Sequence, residues 1–242
     1  MNQYDESTYG ERIAGVYDEM YASYDENCIE VLSELAQGGP ALELGIGSGR
    51  IALPLQRTGV EVHGIDASTA MLDKLREKPG GVEIPVTVGN FADVAVEGQF
   101  TLVYVVFNTF YALLTQEDQI RCFQNVTNHL KPSGHFVIEA FVPDLKRFTA
   151  GQTFRVANIG EHEVSLDASQ HDPVKQQVTS RHILLSEEGV RLYPVKLRYA
   201  WPSEFDLMAR LAGLSLVHRW GDWNRSEFSA QSGKHISVYK KV

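Results

Sequence analysis

The chain has 242 residues, of which 43% are hydrophobic and 22% charged, a composition typical of a globular protein with one sizeable core. Its formal net charge of -9, without a cluster of lysines and arginines, argues against a nucleic acid or an anionic membrane surface as a partner. Cys28 and Cys122 belong to no Cys-x-x-Cys pair, which fits unpaired thiols in a reducing compartment.

The N-terminal stretch MNQYDESTYG is acidic and polar, and it lacks the basic start and the apolar run of a signal peptide. No later stretch approaches the roughly 18 apolar residues that a membrane span needs. The sequence therefore predicts a soluble, cytoplasmic protein. Residues 11–36 then place apolar side chains at helical spacing, which predicts one or two helices.

Short apolar runs alternate with amphipathic segments from residue 41 onward. The predicted strands are ALELG, VEVHGID, IPVTVG, FTLVYVVF and HFVIEAF. The predicted helices between them are GRIALPLQRTG, STAMLDKLREK and TQEDQIRCFQNVTNHLKPSG, the last with Thr115 as its N-cap. Strands that alternate with helices predict a parallel sheet covered on both faces, that is, a doubly wound α/β fold.

The pattern changes after Phe141, because residues 153–200 contain three strand-like runs joined by turn-like QHDPV and SEEG. We expect an inserted antiparallel β lobe there, followed by a helix that ends at Gly213 and a terminal hairpin over residues 214–240. The predicted organisation is a single domain over residues 1–242. It comprises N-terminal lid helices (1–37), a cofactor-binding core (38–150 and 201–242) and the lobe (151–200).

Three glycines interrupt the passage from the first strand to the first helix, in the stretch ALELGIGSGRIAL. Gly45 and Gly47 carry no side chain, so a ligand can approach the main chain at a helix N-terminus. Asp66 ends the second strand, where its carboxylate can accept hydrogen bonds from a ribose. The spacing Gly-x-Gly-x-Gly differs from the dinucleotide fingerprint Gly-x-Gly-x-x-Gly. These features indicate an adenosine-bearing cofactor.

The stretches LELGIGSGR, GIDAS, VTVGNFAD and LKPSGHFVIEAF together resemble the motifs of class I S-adenosylmethionine-dependent methyltransferases, over roughly residues 38 to 142. The resemblance implies a Rossmann-like, mostly parallel seven-stranded sheet and S-adenosyl-L-methionine as cofactor. It implies cofactor contacts by residues across these motifs, namely Glu43, Gly45, Ile46, Gly47, Asp66, Ala67, Met71, Asn90, Phe91 and Phe107. Asn90 departs from the acidic residue common at this position, although its amide oxygen can still accept a hydrogen bond from adenine. Asn108, just past the fourth strand, is implied to be catalytic.

The stretch VYDEMYASY resembles the tyrosine lid of small-molecule N-methyltransferases, such as those that act on amino sugars, and half of the ten tyrosines lie in the first 24 residues. This resemblance implies that Tyr17 and Tyr21 are catalytic lid residues and that Tyr17 also contacts the cofactor, with a π face near the sulfonium. The alternative is that both tyrosines only pack a helix onto the core. Arg50 either binds the cofactor carboxylate or pairs with an acid.

His162, His171 and His182 all belong to the predicted lobe, but their spacing matches no compact metal motif, so no metal site is expected. One of them, or Arg181, Tyr193 or Tyr199, is expected to face the substrate. With no metal constellation and no evident His–Asp or Lys–Asp dyad, the sequence favours an amine acceptor over a hydroxyl, which generally needs a base.

The predicted function is methyl transfer to a small molecule or a peptide terminus, more readily at nitrogen. An O-methyltransferase, an NAD-dependent oxidoreductase and a non-catalytic nucleotide-binding protein remain as alternatives. The lobe is also compatible with a homodimer.

Overall fold

The computed structural model describes residues 4–21 and 23–241 of the chain. Three short helices come first: α1 (Thr8–Ile13), α2 (Tyr17–Met20) and α3 (Glu26–Ala36). The sequence predicted one or two helices over this region. The third arises because Asp25 starts a new helix, where its side chain accepts a hydrogen bond of 3.0 Å from the main-chain nitrogen of Asn27.

Strands and helices then alternate as predicted. The strands are β1 (Ala41–Leu44), β2 (Val62–Asp66), β3 (Val86–Val88), β4 (Phe100–Val105) and β5 (Leu130–Phe141). The helices are α4 (Ala52–Arg57), α5 (Thr69–Arg76) and α6 (Gln116–His129). Thr115 caps α6 through a 3.0 Å hydrogen bond from the Asp118 nitrogen, in agreement with the sequence analysis.

The main sheet has seven strands in the order β10-β11-β5-β4-β1-β2-β3, with β10 (Leu214–Trp220) and β11 (Lys234–Lys241) forming the predicted terminal hairpin. β11 runs antiparallel to both of its neighbours, whereas the pairs among β1 to β5 are parallel. The α7 helix (Pro202–Leu211) precedes this hairpin. The predicted doubly wound, mostly parallel sheet is confirmed.

Alternation along β4 shows how the sheet separates two hydrophobic layers. Val103 and Val105 face the layer that contains Phe123 of α6, whereas Tyr104 faces the opposite layer, which contains Leu32 of α3. A strand with apolar residues on both faces is buried on both faces, which explains its continuous apolar run. The ends of these buried strands position the site.

A second sheet of four antiparallel strands forms the predicted inserted lobe: β6 (Gln152–Ile159), β7 (Glu163–Asp172), β8 (Gln177–Ser186) and β9 (Gly189–Arg198). The sequence predicted three strands. The first predicted run contains two strands, because a tight turn closed by a 2.8 Å hydrogen bond from Gly160 nitrogen to Glu163 oxygen divides it. Pro194 lies in β9 at the edge of the sheet, where a missing N–H is tolerated.

No helix within residues 4–21 and 23–241 is long and apolar enough to cross a membrane.

Candidate active site

The loop after β1 has the backbone geometry that the glycines predicted. Gly45 and Gly47 adopt φ angles of 72° and 55°, in the left-handed region that favours glycine. A Cβ atom at Gly45 would lie 2.4 Å from Cγ2 of Thr109, in the 3₁₀ turn Thr109–Ala112 that follows β4. The loop thus passes close to the end of a neighbouring strand and leaves its main chain uncovered.

Asp66 joins this loop to the end of β2. Its carboxylate accepts 2.8 Å hydrogen bonds from the main-chain nitrogens of Gly47 and Ser68. Burial raises the pKa of Asp66 above its usual value, although these two bonds favour the ionised form. Each carboxylate oxygen keeps a free lone pair, so Asp66 can accept two further hydrogen bonds from a ligand.

A cavity of about 250 Å³ opens beside Asp66, at the carboxyl ends of the parallel strands. Its walls come from the N-terminal segment, the β1 loop, the end of β2, the loop after β3 and the turn after β4. The lining residues are Tyr4, Asp5, Glu6, Tyr9, Gly10, Tyr17, Gly45, Gly47, Asp66, Ala67, Ser68, Met71, Asn90, Phe91, Thr109, Ala112, Leu113, Leu114 and Asp118. Open α/β sheets bind ligands at this edge.

One part of the cavity is suited to a flat ring. Phe91, Ala67 and Met71 provide apolar surface there, next to the amide of Asn90. Asn90 Oδ1 accepts a 2.8 Å hydrogen bond from the Ala92 nitrogen, which fixes the amide, and the same oxygen can accept a second bond. This arrangement can hold an adenine ring and accept a hydrogen bond from its amino group.

Glu43 lies beneath the β1 loop and outside the residues that line the cavity. Its carboxylate is buried and accepts a 3.0 Å hydrogen bond from the hydroxyl of Tyr104. Burial raises the pKa of Glu43 to about 8, because the charged form loses its hydration. A protonated glutamate can donate as well as accept a hydrogen bond.

The raised pKa makes stability depend on pH. In the unfolded chain Glu43 ionises near its ordinary value of about 4.3, so the folded state binds the extra proton between about pH 4 and about pH 8. We expect the wild type to lose a few kcal/mol of stability relative to Glu43→Gln as the pH rises through this window. Urea unfolding of both proteins at a series of pH values measures the difference. Glu83→Gln, at an exposed position, is the control, and parallel profiles for wild type and Glu43→Gln would contradict the assignment.

Arg50 lies in an aromatic cluster. Its guanidinium carbon is 3.4 Å from the ring centre of Phe107, and its nitrogens donate 3.2 Å hydrogen bonds to the Tyr17 hydroxyl and the Tyr21 carbonyl oxygen. The Tyr17 and Tyr21 rings lie 5.0 Å apart. In the described part of the chain, no carboxylate lies within ion-pair distance of Arg50, so its charge is available to an anionic group.

Asn108 has a structural partner. Its Oδ1 accepts a 2.6 Å hydrogen bond from the Phe141 nitrogen, across the ends of β4 and β5. Phe107 and Asn108 have φ angles of 55° and 65°, so two consecutive non-glycine residues are left-handed here. Such strain persists only where its surroundings enforce it, and it is concentrated at functional sites.

Two carboxylates from the N-terminal helices hold this segment against the core. Glu11 accepts hydrogen bonds of 2.9 Å from the Ser68 hydroxyl and 3.1 Å from the Ala70 nitrogen. Asp18 accepts a 2.6 Å bond from the Ser48 hydroxyl and lies 2.8 Å from Lys78 Nζ. Neither carboxylate was predicted from the sequence, although Asp18 is part of the stretch VYDEMYASY.

The described residues contain no group of three or more His, Cys, Asp or Glu side chains that could hold a metal ion.

Comparisons with known proteins bear on this geometry. Residues 41–134 match the methyltransferase domain family. The structure of the CcbJ methyltransferase from Streptomyces caelestis is 44% identical in sequence, covers 99% of this chain and 100% of its own, and superposes with a TM-score of 0.93. The chain belongs to the S-adenosylmethionine-dependent methyltransferases.

Two further relatives of this methyltransferase are more distant. The cypemycin N-terminal methyltransferase of a Streptomyces species is 26% identical over 205 residues, which are 84% of each chain. The dTDP-4-amino-2,3,4,6-tetradeoxy-D-glucose N,N-dimethyltransferase of Saccharopolyspora spinosa is 25% identical over 197 residues, 76% of this chain and 77% of its own. Solved structures with the same fold contain bound S-adenosylmethionine, and S-adenosylmethionine is the cofactor of this enzyme.

The predicted site residues fall into two sets. Those that line the cavity are Tyr17, Gly45, Gly47, Asp66, Ala67, Met71, Asn90 and Phe91. Those that lie around it are Tyr21, Glu43, Ile46, Arg50, Phe107 and Asn108. Ile46 is buried against β2, where a Cβ atom at Gly64 would lie 2.4 Å from Ile46 Cδ1. The individual roles of all these residues remain predictions.

The two lid tyrosines make a matched pair of tests. Tyr17→Phe removes the hydroxyl that accepts a hydrogen bond from Arg50, whereas Tyr21→Phe keeps the bond to the Tyr21 main-chain oxygen. We expect Tyr17→Phe to weaken S-adenosylhomocysteine binding about tenfold, in line with one bond to a charged group. Calorimetric titration and melting temperature, measured together, check this. A lower melting temperature with unchanged affinity would favour the packing role.

Proposed function

We propose that this methyltransferase transfers a methyl group from S-adenosylmethionine to an amine nitrogen of a small molecule or a peptide terminus. The observation that carries the proposal is the charge of the cavity. Four carboxylates line it, those of Asp5, Glu6, Asp66 and Asp118, and no lysine, arginine or histidine lines it among the described residues. Such a site favours cations, including an ammonium group and a sulfonium.

The relatives support nitrogen as the acceptor atom. One methylates a peptide N-terminus and the other an amino sugar, as their names state. Both acceptors carry the methylated nitrogen as an amine. The net charge of -9 is consistent with such acceptors.

The cavity supports specific roles for its residues toward the cofactor. Asp66 would accept the ribose hydroxyls, and Phe91 with Met71 would enclose the adenine. Arg50 lies outside the lining, where it donates a hydrogen bond to the Tyr17 hydroxyl, and it would bind the carboxylate of the methionine moiety. The cofactor, when bound, supplies a methyl group activated by a positively charged sulfur. The protein must hold acceptor and methyl in line and exclude water, because orientation alone can contribute about 7 kcal/mol or more to a rate.

The lid tyrosines support the exclusion of water. Tyr9 and Tyr17 line the cavity, and Tyr21 lies behind Tyr17. Burial raises the pKa of Tyr17, so its hydroxyl stays protonated and its ring neutral. A neutral aromatic face beside a sulfonium is worth about 0.5 to 2 kcal/mol. We propose Tyr17 and Tyr21 as the lid residues of the transfer step, with Asn108 fixing the strand ends beneath them.

A transfer assay tests this function. The protein is incubated with methyl-labelled S-adenosylmethionine and a panel of amines, each paired with its hydroxyl analogue, and products are separated by mass. The amines are peptides with free N-termini and nucleotide-linked amino sugars. We expect label on amines alone, and much less label with Asp66→Ala when S-adenosylmethionine is below saturation. Label on the hydroxyl analogues alone would establish an O-methyltransferase instead.

A further inference from the structure

A second cavity, of about 410 Å³, lies between the α1–α2 segment and the four-stranded sheet. The N-terminal segment contributes Val16, Glu19, Met20 and Tyr21 to its walls, and the sheet contributes Arg155, Ala157, Asn158, Glu163, Ser165, Leu166, Asp167, His182, Ile183, Leu184 and Tyr193. The one histidine among these lining residues is His182, which the sequence analysis included among the candidates to face the substrate.

The strand register of the lobe places four polar side chains opposite each other across the four strands. Asp167 of β7 pairs with Arg155 of β6 and with His182 of β8, and His182 pairs in turn with Tyr193 of β9. Residues directly opposite each other in neighbouring strands project to the same face of a sheet. Tyr193 packs with Ile13 of α1, so this face is the one turned toward the N-terminal helices.

His182 and Asp167 form a hydrogen-bonded dyad. His182 Nδ1 bonds to one oxygen of Asp167, and Arg155 lies 2.7 Å from the other. Burial alone would raise the pKa of Asp167, but the bonds from His182 and Arg155 lower it below its usual value. An ionised carboxylate only accepts hydrogen bonds, so Nδ1 carries the proton. In the neutral ring the lone pair is then on Nε2 of His182, which has no hydrogen-bond partner among the described residues.

The rings of Tyr17 and Tyr21 lie between the dyad and the cofactor cavity. Tyr21 lines the second cavity, its ring is 5.0 Å from that of Tyr17, and Tyr17 lines the first cavity beside Gly45 and Gly47. Tyr21 is only half-buried. Transfer between an acceptor in the second cavity and a cofactor in the first therefore requires the Tyr21 side chain to move.

The rim of the second cavity carries negative charge. Glu19 and Glu163 are exposed there, and neither forms an ion pair within the part of the chain that the structure describes. Arg155 is already paired with Asp167. The cavity thus favours a molecule with a positive charge, such as an amine in its ammonium form.

We infer that the second cavity binds the methyl acceptor and that His182 removes a proton from its ammonium group, with Asp167 as the positioning residue. This inference rests on the proposed function. The acceptor nitrogen loses one proton to His182 Nε2, and its freed lone pair forms the bond to the methyl carbon. The bond from that carbon to sulfur breaks as this bond forms, and its electron pair stays on sulfur. His182 then releases the proton to water.

The test compares His182→Gln, Asp167→Asn and the control His162→Gln with the wild type. His162 lies in the same lobe, its side chain is 76% exposed, and it lies outside both cavities. The probe is the tripeptide Ala-Ala-Ala amide with labelled S-adenosylmethionine. Each variant should bind S-adenosylhomocysteine within twofold of the wild-type affinity, which shows that it binds the cofactor product. Its melting temperature should equal that of the wild type, which shows that it is folded.

We expect His182→Gln to lower kcat about 100-fold at about pH 6, as for loss of a general base. An α-amino group has a pKa of about 8, so at about pH 9 the probe is already neutral and the deficit should shrink to about threefold. Asp167→Asn should show the same trend with a smaller deficit. The other ionisable groups that face His182 are present in both proteins, so they do not account for a difference in pH dependence between wild type and His182→Gln. They are Arg155, Glu163, Asp167 and Tyr193 from the sheet and Glu19 and Tyr21 from the N-terminal segment.

A second readout does not depend on turnover. In protein labelled with ¹⁵N at histidine and saturated with S-adenosylhomocysteine, the tripeptide should shift the Nε2 resonance of His182 and leave that of His162 unchanged. Turnover of the tripeptide that is unaffected by His182→Gln, or a deficit equal at all pH values, would overturn the inference while leaving the proposed function intact. Wild type that binds S-adenosylhomocysteine but neither methylates the tripeptide nor shows the shift would overturn both.

Discussion

Asp66→Ala is expected to weaken binding of S-adenosylhomocysteine on the order of 100-fold. The carboxylate accepts hydrogen bonds from Gly47 and Ser68 and, in the proposed site, from the two ribose hydroxyls. Hydrogen bonds to a charged group contribute about 1.5 to 3 kcal/mol each, and about 1.4 kcal/mol corresponds to a factor of ten in affinity. Loss of the ribose bonds, together with a looser β1 loop, accounts for the expected change. Isothermal titration calorimetry measures it.

Two further variants separate binding from folding. Asp66→Asn retains one oxygen that can accept the bond from Ser68, so we expect an intermediate loss of about tenfold. Asp73→Ala removes an exposed aspartate from α5, the helix that follows Asp66, and should leave the affinity unchanged. An Asp66→Ala protein with wild-type affinity would mean that the ribose is held elsewhere.

Much of the fold follows from local patterns in the sequence. The apolar runs that became β1, β4 and β5 are buried on both faces, and the amphipathic segments between strands became α4, α5 and α6. Thr115 capped its helix as predicted because a cap depends only on residues three positions apart. The prediction for the lobe was less accurate, because the turn at Gly160 is too short to interrupt the apolar pattern of the sequence.

The position of the cofactor cavity was also predictable from the order of the strands. Gly45, Gly47 and Asp66 belong to strand ends that parallel strands bring to one edge, so sequence order is enough to place them together. Glu11 and Asp18 were not predictable in this way, because they reach Ser68 and Ser48 only through the packing of short helices on the core.

The His–Asp dyad corrects one step of the sequence analysis. His182 and Asp167 are fifteen positions apart, and they meet only because the turn after Asp172 sets the register of β7 and β8. The apparent lack of such a dyad was a reason to favour an amine acceptor. That reason no longer holds, since the dyad offers a base, and the preference for nitrogen now depends on the relatives and on the negative charge of the two cavities.

Gly45→Ala is expected to destabilise the protein by about 2 to 4 kcal/mol. A left-handed φ costs an alanine about 1 kcal/mol, and overpacking against Thr109 adds about 1 to 3 kcal/mol, because the new Cβ would lie 2.4 Å from Cγ2 of that residue. The shift of the loop should also weaken S-adenosylhomocysteine binding. Urea unfolding and calorimetry measure the two effects.

Gly38→Ala isolates the backbone contribution to this loss. Gly38 has a φ of 73°, nearly that of Gly45, but a Cβ atom there would meet nothing within 4 Å. We therefore expect about 1 kcal/mol of destabilisation and unchanged cofactor affinity. Equal losses for the two alanine variants would show that the contact with Thr109 is not a constraint.

The double variant Gly45→Ala/Thr109→Ser isolates the contact itself. Serine lacks Cγ2, and the next atom of residue 109, its Cβ, lies at 3.7 Å, an ordinary van der Waals distance. The double variant should therefore recover about 0.5 to 3 kcal/mol relative to the sum of the single variants, the range seen for residues in direct contact. Recovery of stability together with cofactor affinity would show that the uncovered β1 loop and the turn after β4 form one rigid wall of the site. Additive losses would instead place the constraint on Gly45 outside this contact.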